Sequence, residues 1–264
     1  MMMKRFSLLL LALLAALPAQ THGRQEDVRD AFLITRAKAP GKPASKAPPP
    51  KRGAKAAPLG LGVTLFQEAA DGSAVRVPLT KEFRQGDAVR FLIEANASGY
   101  LYIFHAENDG PPEMIFPDAR LNGGRNAIAA HVPYEVPSSR EADPAARWFR
   151  FDAKPAIERL HVIVTRTPLA DVPTGRALVA WCGARGPACL WRPETGPWTQ
   201  LVASAGAARE ETSATFGQAQ AAVEREAAER GLGLGLNAPA PAFIRLSATP
   251  GARQLVTSLS LQHK

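Results

Sequence analysis

Along most of this chain, apolar and polar residues alternate in short runs, and turn-forming residues separate the runs. Gly62 to Gln67 reads as a first strand, with Val63 and Leu65 on one face. Asp71-Gly72 marks a turn, and Val75 to Leu79 alternates as a half-buried strand does. After Gln85-Gly86-Asp87, the run Ala88 to Ala95 points Val89, Phe91 and Ile93 inward and Arg90 and Glu94 outward. Tyr100 to His105 is apolar on both faces, which predicts a central, deeply buried strand, and Asn108-Asp109-Gly110 then turns the chain as a hairpin. Short extended pieces follow at Met114 to Phe116, Asn126 to Ala130 and Val132 to Val136. Pro117, Pro133 and Pro137 limit them, and proline fits edge positions, where its missing N–H costs no ladder bond. Trp148 to Phe151 and Leu160 to Thr165 complete this block. In the latter, Leu160, Val162 and Val164 share one face and His161, Ile163 and Thr165 the other. Short strands with Gly, Pro, Asn and Asp between them predict an all-β sandwich or barrel.

Beyond Leu169 the pattern loosens. Ala177 to Trp181 and Leu190-Trp191 flank two cysteines and read as the arms of a hairpin. Ala207 to Arg230, rich in Ala, Glu, Arg and Gln, is the one good helix candidate, with Gly231 at its C-terminal stop. Residues 171–245 are therefore expected to hold a hairpin and an Ala-rich helical insertion. Gln254 to Leu261 alternates again and should return to the domain as a final strand over 254–262.

The first residues read differently. Lys4 and Arg5 precede the apolar run Leu8 to Leu17, and small residues follow at Leu17-Pro18-Ala19 and Thr21-His22-Gly23. Ten apolar residues are too few for ~30 Å of hydrocarbon, so residues 1–23 are expected to be a signal peptide, cut after Ala19 or Gly23. An uncleaved anchor is the competing reading. Export would place the protein in the periplasm or at the cell surface. Residues 24–58 form a separate stretch, because Ala37 to Pro58 offers only Ala and Pro as apolar residues and cannot offset its ordering entropy. A disordered basic tether is expected there, with Val28 to Ile34 as a transient helical turn or a docking strand.

Charge sharpens this division. Residues 1–58 contain eleven Lys/Arg and three Asp/Glu, a net of +8; the whole chain is also +8, so residues 59–264 are neutral. A basic face for nucleic acid is thus not supported. The tether could associate weakly with anionic lipid or wall polymer, or it is a solvated linker. The two cysteines, Cys182 and Cys189, stand in AWCGARGPACLW with turn formers between them. In an oxidising compartment they predict a disulfide across the hairpin tip; a redox pair and half a zinc site are the alternatives.

Several short motifs occur in a consistent order: Gly86-Asp87 before the strand Val89–Ile93, GYLYIF at Gly99–Phe104, and Ile115-Phe116-Pro117. Asn126-Ala127-Ile128, Pro137, Phe149–Phe151 and LHVIVTRTPL at Leu160–Leu169 follow. Over roughly residues 62–170 the chain resembles a bacterial family known as domain of unknown function 4384. The resemblance implies an immunoglobulin-like β domain of exported or surface proteins, often beside proteases, kinases or outer-membrane-associated modules. It brings no catalytic residue. The expected fold is therefore mainly β: an immunoglobulin-like antiparallel β-sandwich over 59–264, with the Ala-rich helical insertion near the C-terminus.

No pattern of catalytic or metal-ligating residues emerges. His105, His131 and His161 lack the i+2 or i+4 partner that would make a chelating pair. Ala97-Ser98-Gly99 lacks the first glycine of a nucleophile elbow and precedes a strand. Glu107-Asn108-Asp109 and Glu141-Ala142-Asp143 are ordinary turn acids, and no loop spaces its acids for calcium. The glycines after Gly231 follow a helix rather than open one, so they form no phosphate cradle. No cofactor is expected. Trp181, Trp191 and Trp198 cluster around the cysteines, either packed about the disulfide or as an exposed platform for glycan or protein. The expectation is an exported, non-enzymatic binding or accessory module for a protein partner or a cell-envelope polymer. A hydrolase with an unrecognised site and a purely structural subunit are its rivals.

Overall fold

The computed structural model describes residues 27–38, 57–186 and 189–264. The expected signal peptide, and the tether over 39–56, lie outside the described residues. In chain order the elements are α1 (Val28–Leu33), β1 (Gly60–Glu68), β2 (Ala74–Val77), β3 (Glu82–Phe83), β4 (Ala88–Ala95), β5 (Gly99–Glu107) and β6 (Glu113–Phe116). Then come β7 (Ala127–Ile128), β8 (Tyr134–Val136), β9 (Phe149–Arg150), β10 (Ala156–Thr165), α2 (Arg176–Gly183) and α3 (Thr195–Ala203). The chain closes with β11 (Ala208–Thr212), α4 (Ala222–Arg230), β12 (Phe243–Ser247) and β13 (Gln254–His263). Among the described residues no helix is long and apolar enough to cross a membrane.

Two sheets face each other as a β-sandwich. The first runs β11-β12-β1-β4-β8, with β2 also on β1 and β9 also on β4. The second runs β3-β13-β10-β5-β6, with β7 also on β5. The pairings between these strands are antiparallel except β13 with β3, and the isolated bridge Ala37–Gly235 is also parallel. The inward positions follow from alternation: Val63 and Leu65 on β1, Phe91 and Ile93 on β4, Leu101 and Ile103 on β5, and Leu160, Val162 and Val164 on β10 share one buried cluster. β5 lies between β10 and β6, buried on both faces as its apolar run requires. Gly99 permits β5 to begin there, because a Cβ would collide with the Thr165 carbonyl oxygen. β6 and β8, which end before Pro117 and Pro137, are edge strands.

Five expectations need correction. Ala177 to Trp181 is no hairpin arm but part of helix α2. Leu178 and Cys182, four residues apart, are its buried residues, and that spacing is met on one side of a helix. The expected helix over Ala207–Arg230 is divided: Ala208–Thr212 pairs with β12 as an edge strand, and only Ala222–Arg230 is helical. Pairing with a neighbour outweighs helix propensity, which spans less than about 1 kcal/mol per residue. Gly231 does stop that helix, in the left-handed region at φ 63°. β12, within the stretch read as insertion and turn, is a full sheet member.

The remaining two concern the outer face of the first sheet. Arg90 and Glu94 do point away from the sandwich interior, yet they are buried, because a further layer covers them. Part of that layer comes from the segment assigned to the tether: residues 27–38 pack on the sheet. α1 sets Phe32 against Ile244 and Leu246, and Phe32 is wholly buried. Gly60 leaves room for this, since a Cβ there would lie 2.6 Å from Leu246 and 2.8 Å from Phe32. Arg29 binds Glu211 on β11 at 2.6 Å.

Candidate functional site

The outer face of the second sheet carries Tyr102 and Phe104 of β5, Met114 of β6, Ile163 of β10 and Val256 of β13. These apolar positions need a cover, and residues 169–204 supply it. The cover is tied down at four points. The Leu169 amide donates to the Tyr102 hydroxyl at 2.9 Å. The Gly175 amide donates to the Gly124 carbonyl at 2.6 Å. Leu178 and Cys182 of α2 are buried against the sheet. The Met114 amide donates to the Trp191 carbonyl at 2.8 Å, so the chain after the cysteines adds one bridge beyond β6.

Cys182 and Cys189 form the expected disulfide, with Cα atoms 5.4 Å apart. It joins the last turn of α2 to the strand-like stretch at Trp191, not the two arms of a hairpin. The bridge thereby places Trp181 and Trp191 on one unit. Trp198 enters from α3, its ring 4.9 Å from that of Phe104 and 5.0 Å, edge to face, from that of His161. Trp191 lies 6.3 Å from the Phe104 ring. All three indoles are half-buried. Each packs in part against the apolar cluster on the outer face of the second sheet and is in part exposed.

Trp191 and Trp198 line one groove of about 640 Å³, with Phe104, Leu201 and Val172 also in its walls. Asp171, Glu194, Gln200, Ser204 and Gln254 provide polar groups in it. A second groove of about 580 Å³ lies alongside, lined by Trp181 and Trp191. The two share Trp191 and the loop Leu169–Val172. The Arg185 guanidinium stacks 4.1 Å above the Trp181 ring, holding that indole in place. Burial pushes the His161 imidazole below its ordinary value, with Arg159 and His105 adding to the effect, so it sits neutral beneath Trp198 and accepts or donates a 2.8 Å bond with Ser258 Oγ. In these grooves the described residues set flat apolar faces beside carboxylate, amide and hydroxyl groups.

The three histidines stay apart. His105 bonds to Glu158 at 2.6 Å, His161 lies under Trp198, and His131 is buried on the far side of the sandwich. Among the described residues no group of three His, Cys, Asp or Glu is arranged to hold a metal ion. Around His131 sequence reasoning missed a network. Its Nδ1 lies 2.6 Å from Glu94 Oε1 and its Nε2 2.5 Å from Thr35 Oγ1. Glu94 also holds Arg36 through both oxygens, at 2.9 and 2.6 Å. The order hydroxyl, imidazole, carboxylate matches a nucleophilic triad. However, the carboxylate is neutralised by Arg36, and Thr35 lines none of the grooves described here. The network is a clamp on the N-terminal segment. No local signal announces it, because its members come from positions 35, 36, 94 and 131.

No curated protein and no solved structure is similar enough to this chain to be matched with it. A family model does match, from Glu82 rather than Gly62 onward: residues 82–168, which run from β3 through β10, match the family described as Domain of unknown function (DUF4384).

Proposed function

We propose that this chain is an exported, non-enzymatic binding module that recognises a protein partner through the tryptophan-lined grooves over the second sheet. One observation carries the reading: Trp191 and Trp198 stand half-exposed in a groove of about 640 Å³ that adjoins a second groove around Trp181. Tryptophans in partly desolvated pockets dominate the energetics of many protein interfaces. Val179 of α2 and Leu190 beside Cys189 are 41% and 38% exposed, extending the apolar surface of the same disulfide-linked unit. A glycan strand gains little from such aliphatic side chains, which favours a polypeptide over an envelope polymer. The disulfide fits an oxidising compartment and thus export.

The test uses photo-crosslinking residues placed at Gln200 and at Ser258 in the cell, with purified wall polymer in a parallel sedimentation assay. A protein adduct from position 200 that is lost in Trp198→Ala, without loss of folding, supports the proposal. Sedimentation with wall polymer that depends on Trp198 would assign the grooves to the polymer instead. Turnover of envelope material by the purified chain would favour the hydrolase rival. Full function in Trp198→Ala and Trp191→Ala would favour a purely structural subunit.

A further inference from the structure

A second cavity lies between the sheets, walled mostly by residues 82–168 together with Leu261 of β13, and away from the tryptophans. Along β5 the inward positions run Leu101, Ile103, His105, Glu107, and along β10 they run Val164, Val162, Leu160, Glu158. At one end of the sandwich the inner face therefore changes from aliphatic to ionisable. Glu107 and Glu158 stand directly opposite each other in the β5–β10 register. Like charges at such a pair destabilise a sheet, and two apolar residues would seal the layer at no such cost. The layer is instead open: a cavity of about 260 Å³ is walled by Val89, Phe91, Phe149, Ile115, Leu160 and Leu261. Phe91 and Phe149 meet at 57° with centroids 6.4 Å apart, so their rings form two non-parallel walls.

The polar lining is His105, Glu107, Asp152, Glu158 and Arg150. Arg150 is engaged by Glu68 at 2.6 Å. Lys154 is held on Glu107 at the surface. The Glu158 Oε2 atom is taken by His105 at 2.6 Å, whereas Oε1 is 3.9 Å from His263 Nδ1, too far for a hydrogen bond. His263 Nδ1 is itself buried with no hydrogen-bond partner among the described residues. Three carboxylates, Glu107, Asp152 and Glu158, stand at the cavity mouth against two cations, Lys154 on Glu107 and Arg150, which Glu68 engages.

We infer that this cavity binds an organic cation: a primary ammonium group on a small apolar body, with the ammonium at Glu158 and Glu107 and the body between Phe91 and Phe149. Aromatic faces and carboxylates both favour an ammonium over a neutral head group. The volume limits the body to a short alkyl chain or a single ring.

Calorimetric titration of the full chain with 2-phenylethylammonium tests this, with 2-phenylethanol as the neutral counterpart. The ammonium is expected to bind at least about tenfold more tightly, the worth of one charge-assisted hydrogen bond. Glu158→Gln should weaken it by a similar factor. Should that variant not fold, Glu107→Gln reads the same head group from a more exposed position. Leu261→Trp, which fills the cavity, should abolish binding, and Trp198→Ala should leave it unchanged. Nα-acetyl-lysine methylamide identifies the source. Equal binding points to a lysine of a polypeptide and weaker binding to a free amine, and both uphold the inference. No binding of the ammonium, equal binding of the alcohol, or binding that persists in Leu261→Trp overturns it.

Discussion

Arg36 and Glu94 form a bidentate pair whose side chains are 0% and 3% exposed, with Nε–Oε1 at 2.9 Å and Nη2–Oε2 at 2.6 Å. The pair fastens residues 27–38 to the outer face of the first sheet. The Arg36 guanidinium also donates to the Ala238 and Pro239 carbonyls, so the segment is locked to the turn before β12 as well. Removing one partner of a buried pair leaves a charge uncompensated in low dielectric. Arg36→Met is therefore expected to cost about 3–5 kcal/mol in chemical denaturation and to make residues 27–38 protease-sensitive. Arg36→Met with Glu94→Leu should cost less than Arg36→Met alone. A cost below about 1 kcal/mol for the single change would show that the segment is not held by this pair.

Ile103 is wholly buried on β5, opposite Val162 on one side and Phe116 on the other. Ile103→Asp puts an unpaired carboxylate in the inter-sheet layer, at a cost of several kcal/mol. Loss of the cooperative thermal transition is expected. An unchanged melting temperature would refute the central placement of β5.

The disulfide closes a short loop, so its stabilisation falls at the low end of about 2–4 kcal/mol. Cys182→Ser with Cys189→Ser should raise hydrogen exchange in α2 and around Trp191 while the strands stay protected. Global unfolding would mean that the cover of the second sheet is integral to the core. Two free thiols by mass spectrometry of the non-reduced protein would remove the bridge itself.

Glu224 opens α4, accepts from the Ala221 amide at 3.1 Å, and holds Arg76 at 2.8 Å. Burial pushes its carboxyl above the ordinary glutamate value, and Arg76 opposes that rise without cancelling it. Between the unfolded and the raised folded value, the folded state binds the proton more strongly. Stability thus falls as pH rises through that window and is recovered as pH drops below it. In Glu224→Gln this pH slope should vanish. If the slope is the same in wild type and variant, another group causes it.

Which side chains point into the sandwich was readable from the chain itself. Val63, Phe91, Ile93, Leu101, Ile103 and Leu160 follow a two-residue period that the backbone geometry imposes. The turns at Asn108 and Gly72, the left-handed stop at Gly231 and the pairing of Cys182 with Cys189 rest on equally local chemistry. The tryptophan cluster was also legible as a cluster, though not as a pair of grooves, since their shape depends on Phe104 and the 169–172 loop. What lies over an outward face has no local signature. Arg90 and Glu94 fit the alternation of solvent-facing residues, and only the arrival of distant segments, with Trp148 4.0 Å from the Arg90 guanidinium and Arg36 on Glu94, buries them. The same holds where propensities were overridden. Ala208–Thr212 became a strand because β12 offered it an unpaired edge, and Ala177–Trp181 a helix because a flat apolar sheet met Leu178 and Cys182. Local preferences differ by less than about 1 kcal/mol per residue, whereas burying one large side chain contributes about 2–3 kcal/mol, so the tertiary partner decides.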